Sequence, residues 1–596
     1  MPQTDPENEY ASRLRALQSI ETRHARHDRL FAATKLIVGL LTVVTVLWLA
    51  RYHAAYVLFL FIPLLVLIVF FVLHERVLRV LRRCVRLRKF YEQGMARLQD
   101  RWAGTGQQGD HFLDAAHPYA RDLDIFGKGS LFESLCTART RAGEDTLANW
   151  LLARASASEV KLRQAALQEL APMLDFREKL SLAGEDVRIG VNPEALIAWS
   201  ESATRLASHK LLRIALPILA ICWILSVAAW FLWDFGTPVV VISLLNLALT
   251  YKLHTQASIA TAQIEEASHD LNVLASVLTE IEQMTFHSEK LRHLQSELKS
   301  GNVSPSRAIS KLDKRTTWLE AHENWFVKGF DFFIFWTPQW VMAAEAWRAH
   351  HGSKVRTWIT ITGEIEALTA LGSYAYEHSD HVFPEFIESG PYLHAEGMAH
   401  PLLPRSHAVP NDIELGKELQ LLVISGPNMA GKSTFIRSVG INVVLAQMGA
   451  PVCARRFVLS SLEVAASICV LDSLQGGLSR FYAEITRLKT IDTLCSGPTP
   501  VLFLMDELLS GTNSHDRRIG TESFVRSLLS RNAIGLITTH DLALAKIAES
   551  LNGHAANFHF ADSIENGKLH FDYRLTPGIV QTANALTLMR SIGLDV

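Results

Sequence analysis

Charge-free apolar runs occur in two pairs along this chain, and the residues around them alternate between polar and apolar with helical or strand period. Leu36 to Ala50 carries no charged residue, and with Phe31 to Lys35 it reaches membrane-spanning length if the Lys35 ammonium snorkels to the interface. Arg51-Tyr52-His53 interrupts it, and Ala54 to Leu73 is a second charge-free run. The other pair, Ile214 to Trp233 and Phe235 to Tyr251, is divided only by Asp234. Each pair predicts a transmembrane helical hairpin, because a helix rising about 1.5 Å per residue needs roughly 20 apolar residues to cross a bilayer. Trp223, Trp230, Trp233 and Tyr251 are placed as interfacial aromatics. Ser226, Ser243 and Asn246 are the polar exceptions and read as helix-packing contacts rather than a substrate path. A cleaved signal peptide does not fit, since the charged lead-in is too long and no small-x-small site follows the first run.

The polar flanks set the orientation. Arg76, Arg79, Arg82, Arg83, Arg86, Arg88 and Lys89 follow the first pair with Glu75 the only acid among them, and Arg23, Arg26, Arg29 and Lys35 precede it. The positive-inside rule places both flanks in the cytosol, with Tyr52 and Asp234 near the outer face. Several arginines recur three or four residues apart, on one helical face suited to anionic lipid headgroups. DNA phosphate is the rival partner for that face, and topology with lipid contact is the simpler account. The turns inside the hairpins are short, so a multi-pass protein of the inner (cytoplasmic) membrane is expected, with its soluble mass cytosolic.

Elsewhere the pattern is helical at first. Residues 1–29 predict a short polar helix. Gly129-Ser130-Leu131-Phe132 leads into Thr137, Thr140, Arg141 and Gly143, then Leu147, Trp150 and Leu151, and Leu162-Arg163-Gln164 continues it. Residues 253–300 are proline-free and periodic, predicting one or two extended helices. Trp325 to Trp347 is aromatic, but Lys328, Asp331 and Glu345 interrupt it, so a helical core segment is expected there. From about residue 395 short β-branched runs alternate with helical ones, as in a parallel α/β sheet. The expected organisation is a cytosolic segment 1–35, a transmembrane hairpin 36–73 and a basic juxtamembrane linker 74–119. A helical core or lever domain 120–395 follows, interrupted by the second hairpin 214–251, and an α/β domain 396–596 completes the order. The fold class is therefore multidomain, with four transmembrane helices in two hairpins.

Composition narrows the partners little. The formal net charge of -2 advertises no global basic field for nucleic acid. Six scattered cysteines without a C-x-x-C pair argue against a zinc site or a disulfide framework and fit a reducing compartment. The mean hydropathy of +0.14 is high because of the two hairpins.

Candidate chemistry lies in the α/β region. Gly426-Pro427-Asn428-Met429-Ala430-Gly431-Lys432-Ser433-Thr434 reads G-x-x-x-x-G-K-[ST], the phosphate-binding loop of nucleotide hydrolases. The apolar run Leu419 to Ser425 predicts a strand before it, and the spacing of Phe435, Ile436, Val439, Val443 and Val444 predicts a helix beginning near Lys432. Strand, glycine loop and helix turn backbone N–H groups toward phosphates. A further strand, Val501 to Met505, ends in Asp506-Glu507. Ser433 can hold Mg²⁺ directly and Asp506 through water, while Glu507 is placed to orient or deprotonate the attacking water. A third strand, Ala533 to Thr538, ends at Thr539-His540-Asp541, where His540 can report on the γ-phosphate. A nucleoside triphosphate and Mg²⁺ are the expected ligands, ATP being the one that the resemblance given next implies.

These residues together resemble the MutS family of mismatch-repair ATPases, relatives of the ABC ATPases. Gly426 to Thr434 is close to the family's G-P-N-M-G-G-K-S-T, with Ala430 for a glycine. Asp472-Ser473-Leu474, Gly477, Ser479, Phe481 and Glu484 resemble its signature D-x-L-x-x-G-x-S-x-F-x-x-E. Met505-Asp506-Glu507, Gly511-Thr512 and Asp516 follow M-D-E-x-x-x-G-T-x-x-x-D, and Thr539-His540 matches the switch histidine. His400-Pro401-Leu402-Leu403 and Pro410-Asn411-Asp412 are similar to the entry of the family's ATPase domain, and Gly129 to Trp150 to the start of its helical core. The resemblance covers roughly 120–200 and 255–596. It implies an ATP-driven homodimeric clamp in which Ser479 completes the partner's ATP site from the start of a helix, with Gly476 and Gly477 allowing close approach. Two departures stand out. The aromatic that stacks on adenine is missing before Asn411 (Ala408, Val409), and the first hundred residues leave no room for the mismatch-reading and connector domains. DNA contact is therefore expected at the backbone, without mismatch reading. An ABC-like transport motor and a nucleotide-switched membrane scaffold for protein partners are the alternatives. The uncharged spans and minimal loops count against the transporter.

Overall fold

Helical periodicity in this chain runs straight across the polar–apolar boundaries. The computed structural model describes residues 5–52, 61–183, 192–207, 209–299, 303–320, 325–427, 429–469, 480–509, 512–541, 545–551, 553–565 and 568–579. The chain forms two compact units, Met1–Thr105 and Gly106–Val596.

In the first unit, α1 (Pro6–Tyr52) and α2 (Phe61–Leu98) pair along their length as an antiparallel hairpin. The polar N-terminal residues are thus not a separate short helix. They extend the first apolar helix, because nothing between Glu7 and Trp48 is a glycine–proline break and both stretches keep good helix formers. Tyr10 packs edge-on against Tyr91 at 5.5 Å, His74 Nε2 meets Asp28 Oδ1 at 2.7 Å, and Phe31 meets Phe70 at 6.0 Å. The Lys35 ammonium lies 4.7 Å from the centre of the Phe71 ring, an arrangement that shields a cation at the edge of an apolar run. Arg76, Arg79, Arg82, Arg83 and Lys89 are exposed along α2.

The second unit begins with short capped helices, α3 (Leu131–Leu135), α4 (Arg141–Leu152), α5 (Ala157–Leu170), α6 (Leu174–Ala183) and α7 (Pro193–Glu201). Ser130, Thr140, Ser156 and Asn192 cap four of them through side-chain oxygens. The second apolar pair follows as α8 (Lys210–Trp233) and α9 (Thr237–Gln283), joined by a three-residue turn in which Asp234 takes a left-handed φ of 53°. α9 leaves the apolar run without a break. Beyond it, Leu253, Ala257, Ala260, Ile264, Ala267, Leu271, Leu274, Leu278 and Ile281 are all buried, at alternating spacings of four and three. That is the heptad seam of a coiled coil, and it packs against α11 (Pro305–Glu320) and α13 (Trp336–Glu377), with α10 (Glu289–Leu298) alongside.

Trp325 to Trp347 is not one core segment. It divides at Phe335, which has a φ of 53°, into α12 (Trp325–Ile334) and the start of α13. α12 lies against α8 and α9 with Phe330 and Phe332 exposed. The interrupting acids have internal tasks. Asp331 accepts from Thr337 N and Oγ1 at 2.8 Å and so caps α13, and Glu345 accepts the backbone N–H groups of Arg205, Leu206 and Ala207. α13 crosses α4 closely because Gly143 has no side chain; a Cβ there would lie 2.3 Å from Glu366 Oε2.

Among the described residues, three helices are long and apolar enough to cross a membrane: Pro6–Trp48, Leu211–Trp233 and Thr237–Gln283. The fourth expected span, 54–73, begins outside the described residues and enters them at Phe61.

The C-terminal region holds two sheets. A mixed sheet, not expected from the sequence, has the order β1 (Glu385–Ile387), β5 (Arg456–Ser460), β2 (Leu393–Met398), β3 (Asn411–Leu415). The larger sheet runs β10 (Lys568–Pro577), β9 (Ala555–Glu565), β4 (Leu421–Ser425), β8 (Ile534–Thr539), β7 (Val501–Asp506), β6 (Glu463–Ser467). Its strands are parallel except β10, as the alternation of strands and helices predicted. α14 (Lys432–Met448) is buried on nearly every side, and α15 (Arg480–Leu494), α16 (Ser514–Ser530) and α17 (Ile547–Ser550) complete the domain. Asn442, fully buried on α14, donates to Ala399 O at 2.9 Å and accepts from Cys453 N at 2.8 Å, which ties this helix to the segments bordering the smaller sheet.

Candidate functional site

Parallel pairing of β4, β8 and β7 brings three strand ends to one edge. Ser425 stands opposite Thr539, and Thr538 opposite Asp506. Ligand sites in open α/β sheets form outside such carboxyl ends, and the glycine loop, the acid pair and His540 all follow directly from these three strands.

The loop leaves β4 at Gly426 (φ 153°) and enters α14 through Gly431 (φ 98°), with Met429 also left-handed at 71°. Lys432 is buried, and its ammonium donates to Gly426 O at 2.8 Å and Pro427 O at 2.9 Å, so it arches back over the loop. Burial pushes its pKa down, against the opposing pull of Glu507 and Asp506. Ser433, one residue on, donates from Oγ to Asp506 Oδ2. Thr538 Oγ1 donates to the other oxygen, Asp506 Oδ1, and accepts from Glu507 N at 3.2 Å. Glu507 sits at a left-handed φ of 49°, and its Oε1 lies 3.2 Å from His540 Nδ1.

Ser433, Asp506, Glu507 and His540 are therefore one group connected through Thr538, with Lys432 beside it. Asn428 and Ser479 lie outside the described residues, as do Asp472, Ser473, Leu474, Gly476, Gly477 and Gly511 of the quoted motifs. The helix expected near Ser479 is α15, which starts at Arg480. For Mg²⁺, the donor set fits: a hydroxyl and a carboxylate, both hard oxygen ligands, meet at the mouth of the loop.

A cavity of about 890 Å³ opens over this group, lined by Met398, His400, His407, Asn411, Phe560 and Tyr573 besides the loop. That volume suits a nucleotide-sized ligand. No aromatic stands just before Asn411, but Tyr573 lines the cavity. It comes instead from β10, more than 150 residues downstream, and its ring carbon would lie 3.0 Å from a Cβ at Gly431. Asn411 fixes it from β3, donating to Tyr573 O at 3.0 Å and accepting from Leu575 N at 2.7 Å. No short-range signal marks such a residue, since its φ of 55° and its place over the loop are set by hairpin geometry. Burial pushes the His400 imidazole down to about 4, so it lines the cavity as a neutral ring at pH 7.

Two further residues were not singled out. Asp122, buried in the segment before α3, accepts from Ile468 N at 2.7 Å and Cys469 N at 2.8 Å, and its other oxygen pairs with Arg487 at 2.7 Å. It thereby holds both flanks of the signature stretch. Glu484 of that signature accepts from Leu509 N, which joins α15 to the loop after Glu507.

Comparison with known proteins agrees with this arrangement. The family description "MutS domain V" matches residues 422–595. The chain is 32% identical over 235 residues to a DNA mismatch repair protein MutS of Natronomonas pharaonis, covering 39% of this chain and 27% of that protein. It is similar at 31% over 267 residues to the DNA mismatch repair protein MSH6 of Arabidopsis thaliana (41% and 20%). Endonuclease MutS2 of Thermomicrobium roseum is 32% identical over 224 residues (35% and 26%). The chain thus spans about a quarter of the length of these relatives.

Proposed function

We propose that this chain, whose C-terminal domain is of the MutS family, is a membrane-anchored, MutS-type ATPase that works as an ATP-driven homodimeric clamp on the DNA backbone. The observation that carries the ATPase reading is the convergence of Lys432, Ser433, Asp506 and Glu507 at one cavity, with His540 Nδ1 3.2 Å from Glu507 Oε1. The phosphates of ATP lie against the loop, where the backbone N–H groups at the start of α14 and the positive end of its dipole face them. Lys432 turns its ammonium from the carbonyls of Gly426 and Pro427 to the β- and γ-phosphates. Ser433 Oγ and the Asp506 carboxylate would hold Mg²⁺, which would supply charge neutralisation on the phosphates. Glu507 orients the attacking water and accepts its proton, and His540, within reach of Glu507 Oε1, links that carboxylate to the state of the γ-phosphate. Tyr573 offers the base an aromatic face in place of the one lacking before Asn411.

Membrane anchoring is supported by the surface of the second hairpin, where Leu211 (85% exposed), Phe231 (82%) and many neighbours on α8 and α9 form an apolar exterior. A water-soluble surface rarely carries so continuous a patch. DNA is proposed as the polymer because the similar proteins are DNA mismatch repair proteins. Dimerisation is supported by the exposed Met429, Tyr482 and Ile485 at the loop and on α15.

ATP turnover of the full chain in lipid nanodiscs tests the reading. Lys432→Ala weakens ATP binding itself, whereas Glu507→Gln leaves binding intact and traps ATP. Wild-type turnover in both variants would end the ATPase proposal.

A further inference from the structure

The aromatic segment that fits neither a span nor a core is explained by where it lies. α12 (Trp325–Ile334) packs on both α8 and α9, and its contacts are specific. The Phe333 ring stacks on Trp223 with 5.0 Å between centroids and 7° between planes. The last carbonyls of α12, which have no partner within their own helix, are taken by polar side chains of α9. Asn246 Nδ2 donates to Phe333 O at 2.7 Å and Thr250 Oγ1 to Phe332 O at 3.1 Å. Asn246 is fully buried, so the polar residues in the apolar run serve to bind this helix. Their level is informative. Thr250 stands one residue before Tyr251, where the charge-free run of α9 gives way to Lys252.

α12 keeps one side bare. Phe330 is 52% exposed and Phe332 40%, with Lys328 exposed beside them. Three tryptophans continue the aromatic surface from the adjoining helices. Trp318 of α11 stacks on Trp340 of α13 at 6.1 Å and meets Trp336 edge-on at 5.9 Å, and Trp318 is itself 53% exposed. A short helix with exposed phenylalanines, one lysine and a tryptophan cluster at its end has the composition of a segment lying in a bilayer interface.

We infer that α12, with Trp318, Trp336 and Trp340, is an in-plane anchor seated at the headgroup–acyl boundary of the cytosolic leaflet, its occupant being lipid. Continuity decides for lipid over a protein partner, because α12 meets α8 and α9 at Trp223, Asn246 and Thr250, and exposed Ile221, Ile224, Leu225, Leu245 and Leu247 flank those positions. The inference rests on the membrane reading of the second hairpin. It gives the bilayer a second hold on the chain, through the helix that leads directly into α13.

Nitroxide labels on a cysteine-substituted background of the full chain in phosphatidylcholine–phosphatidylglycerol nanodiscs test it by their relative accessibility to oxygen and to a water-soluble nickel chelate. Labels are placed at the half-exposed positions Phe330→Cys and Phe332→Cys, at Leu225→Cys on the hairpin exterior and at Arg292→Cys on α10. The expected result is a label at 225 deep in hydrocarbon, labels at 330 and 332 about 5–10 Å below the phosphates, and an aqueous label at 292. If 225 is deep while 330 and 332 are as open to nickel as 292, the anchor is refuted and the hairpin stands. If 225 itself is aqueous, the membrane reading falls and the anchor with it.

Discussion

Thr538 shows how much of the site depends on a residue with no chemistry of its own. Its hydroxyl is shared between Asp506 Oδ1 and Glu507 N, so one side chain sets the positions of both acids. Thr538→Val keeps the shape and removes the hydroxyl, leaving a buried interaction with a charged group unmade at a cost of about 1–3 kcal/mol. If that cost falls on the placement of Glu507, kcat drops by roughly tenfold to a hundredfold while KM changes little. Thr538→Ser restores most of the rate. A variant whose KM rises and whose kcat is kept would show that Thr538 acts on nucleotide binding instead. The motif marks Thr539-His540 but not Thr538, the penultimate residue of β8. The loop, Asp506, Glu507 and His540 were legible because their chemistry sits at strand ends a few residues long. Thr538, Tyr573 and Asp122 were not, because each acts across 30 residues or far more, and only strand register brings them to their targets.

Among the elements, α4 and α13 carry a pH-sensitive joint. Glu366 on α13 is fully buried and accepts from Arg139 N at 3.2 Å, Thr140 N at 3.1 Å and Thr140 Oγ1. Burial outweighs these donors and pushes its carboxyl up to about 7. With a folded value above the unfolded one, the fold binds the extra proton. The associated stability, about 3 kcal/mol, is complete below the ordinary carboxyl range and is lost as pH rises through 7. The thermal midpoint of the helical region should therefore fall between about pH 4.5 and pH 7 and level off above it, and Glu366→Gln should flatten that slope. An unchanged slope in the variant would place the titration elsewhere. The elements themselves were read with uneven success. α9, α14, β4, β7 and β8 follow their apolar spacing closely. The short strands of the smaller sheet escaped because β2 and β3 mix charged residues such as Glu396 and Asp412 with few apolar ones. The break between α12 and α13 was not legible, because it depends on Phe335 taking a left-handed φ and on Asp331 capping α13 through Thr337 N.

For the molecule as a whole, the proposed shared site predicts complementation. Lys432→Ala and Ser479→Arg homodimers should both be inactive, whereas a mixed dimer has one site with both defects and one with neither and should recover part of the activity. Proven heterodimers that stay inactive would show that each chain works alone. DNA binding, if backbone-directed, should fall steeply with salt and ignore a single mismatch, and a several-fold preference for mismatched duplex would contradict it. The unbroken course of α9 adds a different consequence. Its 47 residues make one rod about 70 Å long, with no joint between the apolar run and the seam that carries α11 and α13. A tilt of about 5° at the bilayer surface displaces the far end by roughly 4 Å, and helices tilt to match hydrocarbon thickness. With the second hairpin spanning the bilayer as proposed, bilayer thickness would become an input to the proposed ATPase, and ATP turnover should differ between nanodiscs built from short-chain and long-chain lipids of the same headgroup.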